Sequence, residues 1–213
     1  MSISTSAVPA RTDVSAAGPD RPVASAASVR RTGWFVAAGG AIWAATMYAV
    51  NPQTTDPTGI TLIDLGSLPF QFSLFALVTT QLRTAATGTT RLARGMLRVE
   101  YALLALATLW TILHGAVPAF RDDLWLSVLD AFWPLSMLGM FVIGVKIVVA
   151  GRWQGLARVW PLVAESWAVV TVPSFAILGM GVAQYIGATH AALGYGCLGL
   201  ILALRPHLTG ARD

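Results

Sequence analysis

SVLDAFWPLSMLGMFVIGVKIVVAG, residues 127–151, decides the class of this chain. The stretch is long and apolar enough to cross a bilayer, for which about 20 apolar residues suffice. Yet it holds Asp130 near one end and Lys146 near the other. Either these charges do chemistry inside the membrane, or they mark where the membrane stops.

The rest of the sequence resembles this stretch more than it resembles a soluble domain. Of the 213 residues, 55% are hydrophobic and 11% charged, against about 25% charged in an ordinary soluble domain. Mean hydropathy is +0.66. Several apolar runs near span length follow one another, so the expected fold is all-α: an integral membrane bundle of about six transmembrane helices. The expected spans are 33–50, 60–82, 99–118, 124–149, 159–180 and 184–204, within a transmembrane domain over 32–205. Residues 1–31 have little apolar content and read as a disordered cytoplasmic tail, and 206–213 as a short cytoplasmic C-terminal tail. The glycine-rich segment 177–190 is the expected site of the last hairpin.

Charge placement orients this layout. Thirteen of the fourteen Lys and Arg residues fall in the tails, in 83–98 or close to 151–158. Only Arg121 falls in an outer loop, flanked by Asp122 and Asp123. Basic residues favour the cytoplasmic side, so both termini are expected inside, in the cell membrane. The net charge of +4 therefore reads as a topology signal, and nucleic acid is excluded as a partner. Trp34, Trp125, Trp153 and Trp160 fall near expected boundaries, as an aromatic belt requires.

Seven ionisable side chains lie in or near the spans, and measured along the expected helices they form two layers. The outer layer is Asp64, His114, Asp130 and His190; the inner layer is Glu100, Lys146 and Glu165. Two carboxylates and two imidazoles at matching depth are candidate metal ligands or a proton relay, although no metal is assigned. At about 100° per residue, Asp64, Ser67 and Gln71 share one helix face, as do Ala107, Thr111 and His114. The plainer reading makes Asp64 and Asp130 helix N-caps or first-turn acids at the headgroups, places His190 in the outer hairpin, and leaves His114 a hydrogen-bonded core residue. For the inner layer, Lys146 snorkels to the headgroups. Glu100 pairs with Arg98 or Lys146, and Glu165 with Lys146 across a helix hairpin. Pro69, Pro134 and Pro173 are expected to kink their helices, and glycines such as Gly39, Gly40, Gly139, Gly144, Gly187, Gly194 and Gly199 to allow close helix approach.

DAFWPLSMLGMFVIGV (130–145) followed by AGRWQGLARVWPL (150–162) resembles stretches in uncharacterised multi-pass membrane proteins of high-GC Gram-positive bacteria. That resemblance covers the second half of the chain and implies no activity.

No nucleotide-binding loop, zinc-protease helix, nucleophile elbow or CxxC is present in the sequence, and these are the motifs that carry such chemistries. No cofactor is expected. The first reading of function is a non-enzymatic membrane component acting through helix contacts. The alternative is a small transporter or channel subunit working as a homo-oligomer. A membrane enzyme with an outer-leaflet His/Asp metal site ranks third. The expected partners are the lipid bilayer and either a second copy of the chain or another membrane protein.

Overall fold

The Ser25 hydroxyl accepts the backbone N–H of Ser28, and the first helix, α1 (Ala26–Ala49), starts there. The computed structural model describes residues 24–213; the expected tail over 1–31 lies outside them except for its end. That end is helical, so Arg30 and Arg31 sit within the first two turns of α1 rather than before it. Side-chain caps also open the next two helices. The Asp56 carboxylate accepts the Gly59 N–H at 2.7 Å ahead of α2 (Pro57–Arg83). The Thr90 hydroxyl accepts the Ala93 N–H at 3.1 Å ahead of α3 (Arg91–Ala116). Each cap satisfies a donor that the helix itself leaves free.

The two following apolar runs each form a pair of helices. The stretch expected as one span over 124–149 is α4 (Leu124–Asp130) and α5 (Phe132–Ala150), broken at Ala131. Pro134 explains the break, because it has no N–H to give to the carbonyl of Asp130 four residues earlier, and its ring crowds that carbonyl. The next run is α6 (Gly155–Glu165) and α7 (Trp167–Leu178). Between them the Ser166 hydroxyl donates back to the Val163 carbonyl at 2.8 Å, a bond that bends helices.

The last turn falls at the start of the expected segment 177–190. The whole connection between α7 and α8 (Met180–Leu204) is Gly179, at φ 76° and ψ 164°, a conformation open to glycine alone. His190 therefore lies inside α8 and not in a hairpin.

Five of these elements are long and apolar enough to cross a membrane: α2, α3, the continuous stretches Leu124–Ala150 and Gly155–Leu178, and α8. α1 has the length, at 24 residues. The described residues contain no strand beyond one isolated bridge. The chain has the apolar helices of a membrane protein.

The helices close into a ring. α1 packs between α8 and α2; α2 continues to α3, α3 to α5, α5 to α6 and α6 to α8, while α7 lies on α8. The tightest contact is α1 against α8. A Cβ on Gly33 would collide with the backbone of Ala203, and one on Gly199 with the backbone of Ala37. Two helices approach this closely only where small residues face each other.

One end of the ring is tied by backbone. The Ala26 N–H donates to the Arg212 carbonyl at 2.9 Å, and the Arg212 N–H to the Ala24 carbonyl at 3.3 Å. Gln154 N–H donates to Leu208 O at 2.8 Å on the same side. Trp153, expected in an aromatic belt, is fully buried there and donates its indole N–H to Thr84 at 2.9 Å. Trp34 and Trp125 do present themselves at the surface.

Candidate functional site

The other end of the ring holds the polar groups. α2 and α3 approach closely at Gly115, where an added Cβ would come within 2.8 Å of the Asp64 Cβ. That approach brings the Asp64 carboxylate to His114: Nδ1 lies 2.7 Å from Oδ2. Trp110, one turn before His114, stacks on the imidazole with ring centroids 4.6 Å apart and planes at 15°. Arg121 fastens the same corner. Its guanidinium donates to the His114 carbonyl at 2.8 Å, to the Thr61 hydroxyl at 2.8 Å, to Gly115 O at 3.2 Å and to Pro57 O at 3.4 Å. These carbonyls include the ones that α3 leaves free at its C-terminus, where a cation also complements the helix dipole.

A buried chain of hydrogen bonds runs inward from this corner. Ser67 donates to the Asp64 carbonyl at 2.6 Å. The Gln71 amide donates to Ser67 at 2.8 Å and to Thr111 at 2.9 Å. Trp133 also donates to Thr111, at 3.1 Å, and Thr111 donates to the Ala107 carbonyl at 3.1 Å. The polar faces of α2 and α3 thus meet each other.

Beside this chain lies a cavity of about 250 Å³. Trp43 of α1, Asp64 and Ser67 of α2, Trp110 and Thr111 of α3, Asp130 and Trp133 at the α4–α5 break, Trp167 and Thr171 of α7, and Gln184 of α8 all line it. Asp130 is exposed, standing at the cavity mouth, and has no hydrogen-bond partner among the described residues. Gln184 is spent on the Met47 carbonyl at 2.5 Å. The Thr171 hydroxyl is fully buried without a partner.

Neither Asp64 nor Asp130 is an N-cap. Asp56 caps α2, and Asp130 ends α4. The Asp-Pro pair at 56–57 is the sequence signal for that cap, with proline at the first helical position.

The four outer residues do not form one set. His190 is about 15 Å along α8 from Met180 at 1.5 Å per residue. Its Nε2 lies 3.1 Å from the Ser166 hydroxyl at the α6–α7 bend. Nδ1 has no partner. It lines a separate groove with Trp160 and Tyr185. Among the described residues, no three His, Cys, Asp or Glu side chains come together as metal ligands.

The inner residues also separate. Glu100 accepts from the Ser136 hydroxyl at 2.5 Å, and its other oxygen faces Gly139 of α5. Glu165 accepts from the Tyr195 hydroxyl at 2.7 Å. Both carboxyl groups are buried, each with one oxygen unpartnered. Neither pairs with Lys146, and Glu100 does not pair with Arg98. Among the described residues the one ion pair is His114 with Asp64. α5 turns Gly144 to Glu165, and Lys146, two residues on, points about 200° away around the axis.

No family model, curated protein or solved structure matches the chain.

Proposed function

We propose that the chain is a six-span protein of the cytoplasmic membrane, with both termini inside, that binds a small molecule in its outer cavity. Such a protein is a small transporter or channel subunit rather than a helix-contact component. The cavity is the observation that carries this reading: about 250 Å³, just below the ~300–1,000 Å³ typical of pockets for drug-sized ligands, and so sized for a small one. Its walls come from seven helices, α1 to α5, α7 and α8, and they combine apolar surface with a few polar groups, as ligand sites do.

Six crossings are supported by α1, which lies antiparallel along α8 through Gly33 beside Ala203 and Gly40 beside Tyr195. An even number of crossings agrees with the pairing of Ala26 and Arg212. Orientation rests on the thirteen-to-one distribution of basic residues, which puts the cavity mouth outside.

Thiol labelling in intact cells tests the reading. In a Cys197→Ala background, Ser67→Cys lines the cavity wall and reacts with a membrane-impermeant reagent added outside. A soluble ligand confined to that cavity has no route in if Ser67→Cys stays unlabelled while an outer-loop Thr55→Cys reacts.

A second reading keeps the helix-contact component. A groove between α3 and α5, lined by Leu92, Val99, Leu138 and Val142, has Glu100 at its back. A neighbouring helix in the bilayer, from a second copy or a different protein, would seat there.

A further inference from the structure

We infer that the outer cavity selects a small organic cation with an apolar body, such as a quaternary ammonium compound. This rests on the reading of the cavity as a ligand site and adds the charge and class of the ligand.

Aromatic surface is the first argument. Trp43, Trp110, Trp133 and Trp167 line the cavity, and indole faces attract cations, above all weakly hydrated ones. Charge is the second. The cavity wall contains two carboxyl side chains, Asp64 and Asp130, and no Lys or Arg. His114 engages one oxygen of Asp64 and stacks behind Trp110. Arg121, the nearby cation, is spent on three backbone carbonyls and Thr61. Asp130 has no such partner. An anionic ligand would meet carboxylates without a free cation; a cationic one would meet Asp130 at the mouth and indoles within.

Spent donors make the third argument. The Gln184 amide, the Trp133 indole and the Trp167 indole all donate to protein acceptors at 2.5–3.1 Å. The Trp43 and Trp110 indole N–H groups have no acceptor among the described residues, and with the buried, unpartnered Thr171 hydroxyl they are left to face a ligand. A bare metal ion fits poorly, since a hard cation needs about six oxygen ligands, and indoles supply none.

Three probes of one shape test this on the full-length protein in nanodiscs: choline, its neutral isostere 3,3-dimethylbutan-1-ol, and the anion 3,3-dimethylbutanoate. Titration is read by intrinsic tryptophan fluorescence and by calorimetry. Choline is expected to saturate, with an affinity about tenfold or more above that of the neutral isostere. Asp130→Asn is expected to remove most of that preference. If the neutral isostere or the anion binds as tightly as choline, the cation assignment is wrong while the ligand cavity stands. Saturation by none of the three overturns both. Should Asp130→Asn fail to fold, the comparison among probes on the unaltered chain decides the matter alone. Retention of choline affinity within twofold in a folded Asp130→Asn variant removes Asp130 from the assignment.

Discussion

His114 Nδ1 and Asp64 Oδ2, 2.7 Å apart, join the C-terminal end of α3 to the first third of α2. Because the guanidinium of Arg121 holds the His114 and Gly115 carbonyls, this corner ties α2, α3 and the turn between α3 and α4 together.

The pair is expected to act on stability. A double-mutant cycle with His114→Ala and Asp64→Ala should give a coupling near the membrane average of about 0.6 kcal/mol, with about 1.7 as the upper range. His114→Gln should recover part of the loss, because an amide still donates. Reversible unfolding in mixed micelles measures it, and additive single losses would show that the contact contributes no coupling.

Glycine contacts between α1 and α8 give a sharper contrast. Gly199→Ala places a methyl group against the α1 backbone and should cost about 1–3 kcal/mol as overpacking. Gly196, three residues earlier on the same helix, has open space where a Cβ would go. Gly196→Ala should be neutral or stabilising by up to about 1 kcal/mol through helix propensity. Thermal melts of the two variants side by side check the sign; equal melts would mean that the α1–α8 contact is looser than described.

Pro134→Ala should restore one backbone bond, from residue 134 to the Asp130 carbonyl, and straighten the α4–α5 break. The expected gain is about 0.5–1.5 kcal/mol, seen as a higher melting temperature. A lower one would show that the bend is needed to seat Trp133 against Thr111.

Topology is checked by fusing reporters to the loops. Fusions at Gly88 and Gly155 should read cytoplasmic, and those at Thr55 and Asp122 external. A cytoplasmic reading at Asp122 rules out the six-span layout.

The apolar runs are legible in the sequence because hydropathy over twenty residues is a bulk property, insensitive to the neighbours of any one side chain. The shared faces of Ser67 with Gln71 and of Thr111 with His114 are legible too, since helical phase follows from spacing alone. Depth is harder to read. A glycine-rich segment can turn anywhere, so His190 reads either as part of the last span or as part of its hairpin, and only the backbone angles of Gly179 fix where the turn falls. Partners are harder still. Opposite charges suggest Lys146 for Glu165, whereas the fold supplies the hydroxyl of Tyr195. A neutral donor satisfies a buried carboxyl group without bringing a second charge out of water, and nothing in linear order marks a residue thirty positions away as that donor.

The contact of α1 with α8 also governs the order of assembly. Arg30 donates to the carbonyl of Ala203, 173 positions away, and most of what α1 packs against belongs to the last helix of the ring or to α2. During synthesis α1 is therefore made first and receives its main partner last. Until α8 leaves the ribosome, the face of α1 bearing Gly33 and Gly40 meets lipid or an insertion factor in place of protein. Ring closure therefore waits for α8, and a chain stalled before Met180 leaves that glycine-lined face without its protein partner.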